Sequence, residues 1–228
     1  MRAIGAWLIL ATVMLGSPCD ANSAFQDTPE LDPLAPLPEE KPIPTGPART
    51  VMQWVLASKD NGSLPYMIID KTAAEVFVFN ADGEALGETP VLIGSAKGDE
   101  SAPGIGEREL RAIPPEERTT PAGRFVANFG PAAGHEKVIW VDWSTAVSLH
   151  PVVTANRKER RLERLASPTP EDNRITYGCI NVPESFYKDV VAPLLNDTAA
   201  VVYILPDDRS LAEVFGPPSA GEQPISSN

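Results

Sequence analysis

Two five-residue runs, Tyr66-Met-Ile-Ile-Asp70 and Glu75-Val-Phe-Val-Phe79, stand either side of the four residues from Lys71 to Ala74. Both are rich in β-branched and aromatic residues and too short for a helix, which predicts two strands joined by a short turn. Asp82-Gly83 supplies the next reversal, leading into a third run from Glu84 to Ile93 and hence a β-meander. Arg124 to Asn128, Lys137 to Trp143 and Thr145 to His150 continue at strand-like spacing, and the continuous apolar run Ala199 to Leu205 reads as a buried closing strand. Helical patterns are few: Ala48 to Ser58, a basic stretch from Asn156 to Ala166, and Pro183 to Leu195, with Phe186, Val190, Val191, Leu194 and Leu195 on one face. The expected fold is therefore mainly β, a sandwich or meander with a few peripheral helices.

What flanks this core sets the compartment. Met1-Arg2 followed by the apolar run Ala3 to Leu15 and small residues to Ala24 reads as a secretory signal over residues 1–24, too short to serve as a membrane span. Cleavage is expected after Ala21 or Ala24. Pro18 beside Cys19 is a poor lipidation context. Residues 25–48 hold seven prolines among acidic residues, from Pro29 to Pro47, and read as an extended tether. The folded domain is expected over 49–208, and 209–228, with Gly216-Pro217-Pro218, as a flexible tail. The expectation is an exported protein of the periplasm or cell envelope, with no stable membrane insertion once the signal is removed.

The formal net charge of -12 argues against nucleic acid as a partner. Removing the signal leaves Cys179 as the chain's one cysteine, in a compartment where paired cysteines are oxidised. Two readings of that thiol stand open: a small buried hydrophobe, or a catalytic nucleophile. With two histidines and this cysteine widely spaced, no zinc ligand set is expected, and no cofactor. His135, after Gly134, reads as a surface loop residue. Ser185-Phe-Tyr-Lys188 matches the Ser-x-x-Lys of serine transpeptidases, but no Lys-Thr-Gly accompanies it, and both residues are expected on the outside of a helix.

The chemistry-bearing stretch is Arg174-Ile-Thr176-Tyr177-Gly178-Cys179-Ile180-Asn181, with Ser148-Leu149-His150-Pro151 upstream. Here the sequence resembles the L,D-transpeptidase family with its YkuD-type catalytic domain, whose signature is a His followed by Ser/Thr-His-Gly-Cys-apolar-Asn/Arg. A second hallmark of that family, Thr-Pro-x-Gly-x-Phe, is intact as Thr120-Pro121-Ala122-Gly123-Arg124-Phe125. The resemblance covers residues 65–206.

It implies Cys179 as nucleophile and His150 as its base, since the thiolate is the attacking form. It also implies a backbone carbonyl just after His150, that of Pro151, to orient the ring. Gly178 allows unusual dihedrals next to the nucleophile, so that the N–H groups of residues 178 and 179 can face a developing oxyanion. Asn181 and Thr176 are expected to order the turn or the substrate. The implied partners are peptidoglycan stem peptides, with another stem or an envelope protein as acyl acceptor. Hydrolysis of crosslinks or protein anchors, and a non-catalytic wall-binding module, are the competing readings.

The chain departs from the family pattern in two places. Tyr177 stands where the family has His, offering a hydrogen-bond donor but no proton carrier near neutral pH. The spacer between His150 and Thr176 is also long, 25 residues from 151 to 175, and contains Arg157-Lys158-Glu159-Arg160-Arg161-Leu162-Glu163-Arg164. As a helix beside the cleft it would offer arginines to substrate carboxylates; as a solvated helix it needs no function.

Overall fold

The computed structural model describes residues 43–132, 135–195 and 198–216, with no side chains described at 135 and 136. The signal segment 1–24, most of the tether, the end of the tail from 217 and the side chain of His135 lie outside the described residues. No described helix is long and apolar enough to cross a membrane.

The chain is mainly β. Strands β1 (Tyr66–Asp70), β2 (Glu75–Phe79) and β3 (Ala85–Pro90) form the expected meander. With β5 (Gly123–Ala132), β6 (His135–Asp142), β7 (Val147–Pro151), β9 (Ile180–Val182) and β10 (Ala200–Ile204) they make an eight-stranded mixed sheet, ordered β3-β2-β1-β10-β5-β6-β7-β9. A second, two-stranded sheet pairs β4 (Ile93–Gly94) in parallel with β8 (Arg174–Thr176). The expected strand from Glu84 to Ile93 is thus two strands in two sheets. At the break between them Leu92 leaves the meander and exchanges two 2.8 Å backbone hydrogen bonds with Asn181.

The run from Ala199 to Leu205 does not close the sheet as expected. Its β10 lies mid-sheet, parallel to β1 and antiparallel to β5. That placement explains its unbroken hydrophobicity, because a strand covered on both faces needs no polar alternation. On one face Met67, Ile69, Val202 and Ile204 enter the larger core with Ile139, Leu149 and Ile180. On the other, Tyr66, Ile68, Val201 and Tyr203 pack with Phe77, Phe79 and helix α1 (Gly46–Ser58). The edge strand β3 alternates half-buried and exposed residues, as a one-faced strand does.

Three sequence expectations are corrected. Helix α1 starts at Gly46 and buries Ala48, Val51 and Val55, so the fold reaches back into the segment read as tether. The start of the tail is also ordered: helix α5 (Leu211–Phe215) carries a capping box between Ser210 and Glu213, and Phe215 packs against Trp54 and Tyr203. The basic stretch, finally, is no continuous helix. Asn156 caps a short 3-10 turn (Arg157–Glu159), Arg160 takes the left-handed conformation at φ 51°, and only then does α2 (Arg161–Leu165) begin.

The last expected helix runs from α3 (Glu184–Phe186) through a π turn (Tyr187–Val191) to α4 (Ala192–Leu194). Pro193 has no N–H to return to the carbonyl four residues back, and the ladder widens, with the N–H of Ala192 bonding the carbonyl of Tyr187. Tyr187, Val191 and Leu195 seat this element on the larger core, while Ser185 and Lys188 are exposed as expected.

Candidate active site

The nucleophile candidate sits on the turn between β8 and β9, and that turn is fixed from both ends. Thr176, buried at the end of β8, donates its hydroxyl to the carbonyl of Cys179 at 2.6 Å and accepts the N–H of Gly178 at 3.1 Å. Between them Gly178 has φ +127°, and a Cβ there would lie 2.7 Å from the carbonyl oxygen of Thr119. Glycine is thus required twice over, by dihedral and by space.

The two family-like motifs meet at this point. Thr120, first residue of Thr120-Pro-Ala-Gly-Arg-Phe125, donates its buried hydroxyl to the carbonyl of Gly178 at 2.8 Å and accepts the N–H of Gly94 at 2.9 Å. Behind it, the fully buried Lys71 donates to the carbonyls of Thr120 (3.0 Å) and Gly98 (2.6 Å) and pairs with Asp99 (2.9 Å) and Asp207 (3.2 Å). Arg174, at the start of β8, bonds the other oxygen of Asp207 at 2.5 Å. Burial alone would raise the Asp99 carboxyl. The N–H of Asp207, the Lys71 ammonium and the N–H groups of Arg209 and Asp208 outweigh it and hold Asp99 at about 2.

Parallel pairing of β7 with β9 matches Leu149 to Ile180 and His150 to Asn181. The residues either side of that Leu–Ile pair therefore share one face: Ser148 with Cys179, and His150 with Asn181. Sγ of Cys179 lies 3.5 Å from Ser148 Oγ and 3.7 Å from the carbonyl oxygen of Ala146. Cys179 is half-buried and outside the hydrophobic cores, so the reading of it as a core hydrophobe does not hold.

The His150 ring is clamped along its length. Nδ1 lies 2.8 Å from the carbonyl of Pro151, the carbonyl named from the sequence, and Nε2 lies 3.1 Å from Asn181 Nδ2. Since a carbonyl only accepts and an amide nitrogen only donates, we assign the proton to Nδ1 and the lone pair to Nε2. Asn181 is held in that orientation because its Oδ1 accepts from Arg161 Nη1 at 2.8 Å. Arg161 is braced in turn by Glu159 at 2.5 Å. Burial pushes the His150 imidazole below its usual range; the Pro151 carbonyl opposes this, and the positive charge of Arg161 lowers it further. Burial and Arg161 thereby favour the neutral imidazole, the form a base needs.

The structure thus brings the thiol, on the turn just before β9, against Ser148 of β7 and the imidazole against Asn181 of β9. Tyr177 is half-buried, with the guanidinium of Arg118 4.1 Å from its ring centroid, while Arg118 also donates to the carbonyl of Ile113. The Gly178 N–H, expected to face an oxyanion, is spent on Thr176. Sequence reading did not single out Ser148, Arg118, Lys71 or the Arg161–Asn181 link. For Ser148 the signal existed, since it stands two residues before His150 on a predicted strand and so shares its face. Among the described residues, no group of three or more His, Cys, Asp or Glu is placed to hold a metal ion.

No protein-family model matches the chain, and no curated protein matches it at a significant level. Solved structures of similar fold do exist. The catalytic domain of an Enterococcus faecium L,D-transpeptidase is 19% identical over 62% of this chain and 98% of that one, with a TM-score of 0.39. An L,D-transpeptidase of Stackebrandtia nassauensis is 15% identical over 72% and 68%, with a TM-score of 0.38. The helical cell shape determining protein of Campylobacter jejuni is 15% identical over 70% of this chain, which spans 57% of that protein, with a TM-score of 0.43. At these values the likeness is one of fold alone, and function rests on this chain's own residues.

Proposed function

We propose that this protein is an exported cysteine acyltransferase of the L,D-transpeptidase type, acting on peptidoglycan stem peptides. The observation that carries the reading is the convergence of both motifs on one turn: Thr120 holds the Gly178 carbonyl, and the turn so fixed sets Cys179 beside the strand that bears His150.

In the proposed reaction the Cys179 proton passes to Nε2 of His150, and Asn181 gives up its hydrogen bond to that nitrogen as it does so. The thiolate attacks the carbonyl carbon of the donor's L,D-peptide bond. The C–N bond breaks, the imidazolium returns its proton to the departing D-amino acid, and a thioacyl-enzyme remains. An amine of a second stem or an envelope protein then attacks that carbonyl and expels the thiolate. The Cys179 N–H supports the oxyanion, and Ser148 stabilises the thiolate as a hydroxyl donor.

The test is product analysis by mass after incubating the protein with tetrapeptide and pentapeptide muropeptides. Crosslinked product is expected, and Cys179→Ala and His150→Ala should each abolish it without unfolding the chain, their effects failing to add because they act as one unit. Hydrolysed product alone would replace transfer with a peptidase reading. Either variant keeping more than a few per cent of wild-type activity would remove the assignment.

A further inference from the structure

The basic insertion that separates His150 from the cysteine motif forms an open surface cavity of about 340 Å³, lined by Thr154, Asn156, Arg157, Arg160, Arg161, Leu162 and Glu163. In a chain of net charge -12, eight residues from 157 to 164 hold five of its nineteen lysines and arginines, so this is a local cationic site on an acidic protein. Next to the left-handed Arg160, Arg161 is half-buried, while Arg157 and Arg160 are exposed at the rim.

The guanidinium groups are not equivalent. Arg160 is matched by Glu163, and Arg161 by Glu159 and Asn181. Arg164 faces a neighbouring depression and is taken up by the carbonyls of Glu159 and Asp172. The Arg157 guanidinium has neither a hydrogen bond nor an ion pair among the described residues, its backbone carbonyl alone accepting from the Arg160 N–H, and the residue lines the cavity. Beside it Leu162, 60% exposed, offers an apolar wall. The cavity adjoins the catalytic face because Arg161 belongs to both: it lines the cavity and bonds Asn181, which bonds His150.

We propose that this cavity binds a carboxylate of the acyl donor, with Arg157 as its bidentate anchor, Thr154 and Asn156 as neutral donors, and Leu162 against the aliphatic part of the peptide. The site rests on the acyltransferase reading for the identity of the ligand but not for its chemistry, which is that of a peptide carboxylate. It gives the long spacer a role in selecting charged stems over amidated ones.

The experiment measures binding of a tetrapeptide muropeptide, and of the same peptide with its free carboxylates amidated, to the full-length Cys179→Ala protein by calorimetry. The acid form is expected to bind more tightly. Arg157→Gln should weaken the acid form roughly one-and-a-half- to fivefold, the range of a solvent-accessible ion pair, and leave the amidated form unchanged. Lys158→Gln, which removes a neighbouring cation that does not line the cavity, should change neither. Equal binding of the two peptides, no binding of either, or equal losses in Arg157→Gln and Lys158→Gln would overturn the proposal. Because no turnover is needed, these results stand apart from any failure of the acyltransferase reading.

Discussion

Thr120 Oγ1 lies 2.8 Å from the carbonyl oxygen of Gly178, joining residues 58 positions apart in the chain. One hydroxyl therefore fixes the peptide that precedes Cys179, and it does so from the segment before β5, whose Thr120 carbonyl Lys71 holds from behind.

Replacing Thr120 with Val keeps the shape but strips two buried hydrogen bonds, leaving the Gly94 N–H and the Gly178 carbonyl unmet. The expected cost is about 1–3 kcal/mol of stability per unsatisfied group. A drop in the denaturation midpoint together with a loss of kcat is expected; wild-type values for both would show that the motif contact is incidental.

The pH dependence follows from His150. Its folded-state pKa is depressed, first by burial and then by Arg161, so the neutral imidazole persists to lower pH than a free one would. The acid limb of kcat/KM should therefore fall below pH 6.5, the ordinary value. Arg161→Met should shift that limb upward, because the charge is removed and Asn181 loses its orienting partner. The same depression means that folding stability is lost as pH drops through and below the ordinary imidazole range, where only the unfolded chain readily takes the proton. A limb that stays put in Arg161→Met would disprove the link.

Lys71 and Asp99 make the acid limit of the fold. Asp99 has its carboxyl lowered to about 2, so its contribution is complete above its ordinary 3.8 and disappears as pH falls through about 2. Lys71→Met leaves the buried Asp99 without its cation, while Asp207 keeps Arg174, and should destabilise by about 3–5 kcal/mol. Thermal melts at pH 7 and pH 3 check both statements: the variant should melt lower at pH 7, and the gap should narrow at pH 3.

Tyr177 departs from the family pattern and separates two roles for its side chain. Tyr177→Phe keeps the ring against the Arg118 guanidinium and removes only the hydroxyl. Activity should fall by at most roughly a hundred- to a thousandfold, the cost of one oxyanion donor. A folded Tyr177→Phe protein as inactive as Cys179→Ala would show the phenol to be essential.

Strand identity was legible where the pattern was local. Tyr66–Asp70 and Glu75–Phe79 were bounded correctly because aromatic and β-branched residues end abruptly at polar turn residues. The three-residue strands around Cys179 were not, since Arg174–Thr176 and Ile180–Val182 are too short to show a period and exist because Leu92, β4 and β7 pair with them. The contact of the His150 ring with the Pro151 carbonyl was readable from motif. The Arg161–Asn181 bond was not, because it spans 20 positions and depends on a left-handed residue, Arg160, that no composition rule places in a basic run.

The most direct test of the central claim is the mass of the intact protein after brief exposure to a tetrapeptide donor with no acceptor amine, followed by acid quench and peptide mapping. The account predicts a mass increase equal to the donor less its terminal D-amino acid, located on Cys179 and absent from Cys179→Ala. An unmodified Cys179 in folded protein that nonetheless turns over the donor, or an adduct on any other residue, would contradict it.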